Sequence, residues 1–286
     1  MKCKITLIAT AFLLLAGFLV QGQNPIFLDR KIINSHSVET LPKRVLDFRV
    51  GHRFGDLFGE AGGWQTFYGL ESASDVLIGF DYGVTDHLMV GINRSKGSGA
   101  LRMLVNGYIK YKVGGQNSQL ELPAAVTFLA YTSVSTMPKS DEISAINSFP
   151  DFAHRMVYHF QGMVAKQVSP GVSMQFNLGY THRNFVNIDD INFVLNVGVA
   201  TRIRVSRRIG VLVEANYPLR FQDVDFNFTV PAGIGFEFVT GGGHVFQLNF
   251  TNATGLSETD YLLYTKSKWE EGQFRMGFTI ARNFKI

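Results

Sequence analysis

The side chains with the greatest capacity for chemistry in this chain are charged groups that alternate with oily ones. Read at a spacing of two, Arg49, Arg53, Arg102, Lys110, Lys112, Arg155, Arg183, Arg202, Arg204, Arg275 and Lys285 share the polar face of their segments with Asp47, Asp81, Glu121, Glu214 and Glu237. His159 falls on the same face. Basic groups outnumber acidic ones there, and a positive surface enclosed by low-dielectric walls concentrates anions. The competing use of the same residues is pairing, in ladders that fill the interior. Other chemistry has less to work with. His154 stands close to Ser148 and Asp151 in sequence, and His182 ends another segment, yet no serine sits between glycines in a nucleophile elbow. The seven histidines are scattered without ligand spacing. Asp223, Asp225 and the run Glu258 to Asp260 read as solvated loop carboxylates rather than a calcium site. Gly233-Ile234-Gly235 and Gly241 to Gly243 read as strand and turn glycines, because no helix pattern follows them. The sequence thus assigns no catalytic residue, metal or cofactor, and the chain reads as a non-enzyme.

What must position these charges is a set of twelve segments, each about 9 to 13 residues long, with period-two alternation. One face is apolar or aromatic, and the other carries Gly, Asn, Gln, Arg, Lys or Glu. Leu46, Phe48, Val50 and Phe54 alternate with Asp47, Arg49, Gly51 and Arg53; Val76 to Val84 and Leu88 to Ile92 form a hairpin about Thr85-Asp86-His87. The pattern continues through Met103 to Val113, Leu120 to Tyr131, Met156 to Val164, Val172 to Tyr180, Ile191 to Arg204, Val211 to Tyr217, Phe226 to Phe238, Phe246 to Phe250 and Phe274 to Phe284. Short connections follow the even segments and longer ones the odd, the largest being 55–75, 133–152 and 252–270. Of these, 133–152 is the candidate for an inward constriction, although an ordinary exposed loop is the simpler expectation. This sorting predicts an all-β, up-and-down antiparallel transmembrane barrel of about twelve strands, with short periplasmic turns and long external loops. Phe54, Tyr82, Tyr111, Tyr180, Tyr217 and Phe238 lie near segment ends, where interfacial girdles belong.

Composition agrees. Only 17% of the residues are charged, against about a quarter in soluble domains. Residues 1–22 read as a secretory signal peptide, with a basic start and the apolar run Ile5 to Val20. Residues 23–43 follow as a periplasmic N-terminal segment and 44–286 as the barrel. Cys3 is the one cysteine and lies in the leader, so the mature part can form no disulfide. Losing Lys2 and Lys4 with the leader lowers the formal charge from +4 to about +2, which is too small to argue for nucleic acid.

With its signal, its alternating strands, the hairpin Val84-Thr85-Asp86-His87-Leu88 and the terminal Arg282-Asn283-Phe284, the mature chain resembles an uncharacterised family of Bacteroidetes outer-membrane β-barrels, a domain of unknown function. The resemblance implies bacterial outer-membrane location and fold, and supplies no catalytic residues. Two functions remain open. One is a narrow porin-like transport pore favouring small anions or anionic solutes, lined by the charges above. The other is a non-conducting structural barrel whose long loops or N-terminal residues bind a periplasmic or surface protein. Outer-membrane lipid is a partner in either case.

Overall fold

The computed structural model describes residues 25–115, 120–187, 190–221 and 228–286. The expected leader lies outside these residues, as do Gln116, Asn117, Asp223, Asp225 and Phe226. Twelve strands are present: β1 (Val45–Asp56), β2 (Ala73–Gly83), β3 (Leu88–Ser95), β4 (Leu104–Gly114), β5 (Ala125–Ser135), β6 (Met156–Ser169), β7 (Val172–Arg183), β8 (Phe193–Arg204), β9 (Ile209–Leu219), β10 (Ala232–Val239), β11 (His244–Thr251) and β12 (Arg275–Lys285). Each pairs antiparallel with its sequence neighbours, and β1 pairs with β12 from Val45↔Lys285 to Asp56↔Arg275, closing the barrel. Closure satisfies every ladder group without an edge, as a hydrocarbon environment requires. Two strands start later than the alternation predicts, β5 at Ala125 instead of Leu120 and β10 at Ala232 instead of Phe226. Pro123 and Pro231 stand just ahead of them, and a proline has no N–H to give a ladder.

The outward face is oily at mid-strand. Ile109, Phe128, Phe160 and Leu178 are each more than half exposed, a continuous apolar surface that water does not tolerate and lipid does. At the end with short turns this belt meets Tyr82, Tyr111 and Phe238, and at the other end Phe54, Tyr180 and Tyr217. The expected girdle residues therefore divide between both strand ends. Because Ile109 is central in β4 and faces out while its neighbour Lys110 is fully buried within, Ile109→Lys is expected to destabilise the barrel by about 2–4 kcal/mol. Reversible unfolding by denaturant in lipid vesicles measures this, and a change below about 0.5 kcal/mol, the size of an ordinary surface substitution, would contradict the lipid-facing assignment.

The sorted connections are also present. The two-residue turn Pro170-Gly171 and the four-residue turns 84–87, 205–208 and 240–243 mark one end, and the long connections 57–72, 136–155 and 252–274 mark the other. Of the long loops, 136–155 stays largely outside, with Ile143 89% exposed and Phe149 buried beneath it. The loop that turns inward is 252–274. It carries a short helix, α1 (Glu258–Tyr264), with six of its seven residues buried.

Candidate functional site

The polar face of the barrel wall surrounds an interior filled by two pieces of chain that are not strands. The first is the N-terminal segment that precedes β1, which is buried, with Phe27, Ile32, Ile33, Val38 and Leu41 all nearly inaccessible. Its composition is the reason: these side chains would expose oily surface to water outside, and within the barrel they pack on inward-facing Met89, Tyr108, Leu129, Tyr131, Met163 and Leu212.

The segment is a finger. It begins at Pro25 and Leu28, beside Arg204 and Arg207 at the turn end, and returns to that end, where the Lys43 N–H donates to Asp86 Oδ1 at 2.9 Å. Between these points Lys31 pairs antiparallel with His36, the Ile32 N–H donating to the Ser35 carbonyl at 2.8 Å and the Ser37 N–H to the Arg30 carbonyl at 2.9 Å. The tip meets Glu214, at the middle of β9. One buried carboxylate accepts from the N–H groups of Ile33 (3.2 Å), Asn34 (2.8 Å) and Ser35 (3.4 Å) and from the Ser35 hydroxyl (3.0 Å). Glycines leave room for the tip, since a Cβ on Gly233 would press against Ile33 at 3.0 Å.

Along its length the finger is held by charge. Arg49 grips Asp29 through two hydrogen bonds, at 2.7 and 2.5 Å, and Arg30 pairs with Asp47 at 2.7 Å and donates to Asn283 at 3.0 Å. Burial pushes the Asp29 carboxyl up, but Arg49 and Arg30 outweigh it and hold the group at about 2. Gln175 takes the Val38 N–H and returns a hydrogen bond to the His36 carbonyl, both at 2.8 Å, while Lys110 Nζ donates to the Glu39 carbonyl at 2.5 Å. The His36 imidazole lies edge-on to Tyr108 and is driven well below 6.5 by burial and by Lys31, Lys110 and Arg49, so it is neutral.

The second piece is the 252–265 stretch, entering from the loop end. Arg53, fully buried in β1, donates to the carbonyls of Gly255 and Ala253. Asp75 in β2 accepts from the Leu256 N–H at 2.8 Å and the Gly97 N–H at 3.0 Å. Asp260 accepts from the Ser98 N–H and hydroxyl and the Gly99 N–H, and Leu263 packs with Leu101, Leu104, Val157 and Val194. The two pieces touch at Glu258: its carboxylate accepts the His36 N–H at 3.1 Å and faces Lys31 at 3.5 Å, while Lys31 Nζ also donates to the Leu256 carbonyl at 2.9 Å.

The residues expected on the inner face divide by burial and by their place in the strands. Arg49, Arg53, Asp81, Lys110, His159, Arg202, Glu214 and Glu237 are buried; Asp81 accepts from the Tyr108 hydroxyl, His159 contacts Thr181 at 2.8 Å, and Arg202 pairs with Glu237. Lys112, partly exposed, reaches Glu39 at 3.4 Å, and Arg275 donates to Ser267 at 2.9 Å with Asp56 at 3.6 Å. Arg204 sits at the turn-end rim, donating to the Pro170 carbonyl. Three depart from expectation. Arg102 is exposed in the loop before β4 and Glu121 is exposed before β5, both outside the ladders that their parity assumed. Arg155 precedes β6 and binds the carbonyls of Ser135 and Met137 while stacking on Phe149 at 4.2 Å.

The expected excess of positive charge is also corrected. Among the described residues seven Arg and Lys are buried against nine Asp and Glu, because Asp29, Glu258 and Asp260 arrive with the inserted pieces and Asp75 lines the wall. Sequence parity could not count acids carried by non-strand segments. Of the residues weighed for nucleophilic chemistry, His154 Nδ1 accepts the Asp151 N–H at 3.0 Å in a capping arrangement, while the buried Ser148 hydroxyl has no hydrogen-bond partner. Among the described residues no group of three or more His, Cys, Asp or Glu is placed to hold a metal ion.

Comparison with solved structures finds porin-like barrels. The NanC porin aligns with a TM-score of 0.50 at 9% identity, covering 84% of this chain and 100% of its own. An outer-membrane channel from Pseudomonas putida F1 gives 0.49 at 12% identity, over 86% and 98% of the two chains, and the Acinetobacter baumannii outer-membrane protein Omp33 gives 0.44 at 8%, over 85% and 99%. These likenesses are of fold. A comparison with curated protein sequences finds no match. The protein is a membrane-bound barrel of the outer-membrane, porin-like type, in contact with lipid. The family comparison matches residues 27–284, the finger included, and the chain belongs to the membrane bound beta barrel domain family, DUF5777.

Proposed function

We propose that this protein is a self-plugged outer-membrane barrel that passes no solute while its N-terminal finger is docked. The observation that carries this reading is the meeting of finger and loop at Glu258, which joins the plug entering from the turn end to the one entering from the loop end. Both ends of the finger emerge at the turn-end mouth, so it can leave without moving a strand. Of the two functions open from sequence, the geometry favours the closed barrel over a standing anion pore. The near balance of buried acids and bases takes away the reason for strong chloride preference.

The test is planar-bilayer conductance. Full-length protein is expected to hold the baseline, while protein lacking residues 25–43 conducts in steps with weak selectivity between cations and anions. A steady ohmic current from the intact chain would overturn the closed reading. A reversal potential dominated by chloride in the shortened chain would reinstate the anion pore.

A further inference from the structure

At the turn-end mouth a pocket of about 600 Å³ is lined by Arg202, Arg204, Val205, Ser206 and Arg207 of the wall and by Pro25 and Leu28 of the finger. We propose that this pocket binds a phosphate group. Three arginines line one small volume, and the acid beside Arg202, Glu237, is already engaged with its Nε. Arg202 is only 5% exposed, and its Nη2 is buried with no hydrogen-bond partner in the protein. A buried donor of a charged group left unpaired is costly, and a planar guanidinium matches the oxygens of a phosphate. Arg204 spends one donor on the Pro170 carbonyl, and Arg207 follows on the exposed turn between β8 and β9, so both stand at the entrance where Arg202 forms the floor. The finger side is apolar, which lowers the local dielectric and strengthens attraction to an anion.

Phosphate could reach this mouth in two forms, as the headgroup of a phospholipid in the adjoining leaflet or free in solution. The assignment needs the finger docked at this mouth, as the proposed closed state has it, but not that the barrel be shut to solutes, because it rests on the rim and not on the plug contacts at Glu258.

The experiment uses the full chain and the variant R204Q/R207Q, whose changes lie at the rim and leave the Arg202–Glu237 pair intact. Inorganic phosphate is titrated calorimetrically into detergent-solubilised protein. In parallel, protein from nanodiscs of mixed phosphatidylglycerol and phosphatidylcholine is assayed by native mass spectrometry for retained lipid. Phosphate affinity that falls about tenfold or more in the variant supports a free-phosphate site, and retained phosphatidylglycerol that is lost in the variant supports a headgroup site. Equal phosphate affinity and equal lipid retention in the two proteins, or no binding in either arm, overturns the proposal.

Discussion

Glu214→Ala is expected to release the finger and turn a silent barrel into a conducting one. The carboxylate accepts from three successive backbone N–H groups and one hydroxyl at the finger tip, all buried. Its removal leaves the four finger-tip donors facing a methyl group. Each unsatisfied buried donor costs about 1–3 kcal/mol, and water entering the vacated space recovers part of this. A net loss of about 3 kcal/mol in docking shifts the docked-to-free ratio by roughly two orders of magnitude. Ser35→Ala removes a single hydroxyl and is expected to cost about 1 kcal/mol, leaving the conductance near that of the parent. Bilayer current and protease access to residues 25–41 read the two variants together. If Glu214→Ala remains silent and the finger as protected as in the parent, the tip carboxylate does not hold the plug.

The loop plug should respond to pH, and in the opposite sense to an ordinary ion-paired carboxylate. Burial and the neighbouring Asp75 push the Asp260 carboxyl up from 3.8 to about 7. When α1 leaves the barrel the group returns to its solvent value, so the docked state binds the proton more tightly. Docking therefore strengthens as pH falls from about 7 towards 4, by up to about 1.4 kcal/mol per unit, and is insensitive to Asp260 above and below that window. Glu258, raised by burial, acts in the same direction. Asp260→Asn keeps an oxygen for the Ser98 and Gly99 N–H groups and offers an amide donor to the Ser98 hydroxyl. The variant is expected to stay docked at pH 8 and to lose most of the pH response. Hydrogen exchange of residues 252–265 between pH 5 and 8 measures both effects; greater protection at high pH in the parent would refute the assignment.

The strands were legible because the bilayer imposes a strict constraint. One face must be oily and the other must meet an interior, so Ile109 and Lys110 declare opposite sides without reference to any distant residue. The proline boundaries at Pro123 and Pro231 were visible too, although alternation was carried across both. The misplaced charges, Arg102, Glu121 and Arg155, failed for a related reason: parity has meaning only while the chain is in a ladder. What fills the barrel was harder to read. Residues 26–41 have no period, since a finger enclosed on all sides needs oily groups wherever wall residues leave room, and α1 is only seven residues long. One signal was present. Phe27, Ile32, Ile33, Val38 and Leu41 are too apolar a set for a solvated extension, and the inward Gly233 and Gly235 on β10 fit a wall that receives something bulky. The charge sum failed with the plug, because Asp29, Glu258 and Asp260 belong to segments the alternation did not cover.

Because the inserted hairpin leaves by the mouth through which it entered, no chain end has to be threaded through the cylinder. The seam between the first and last strands can thus be sealed before or after insertion, and the cylinder itself need not be breached for retraction. On the proposed closed reading, the contacts that retraction would have to break are the desolvated salt links of Asp29 and Arg30 and the capped hairpin tip, none of which lies on the lipid-facing surface.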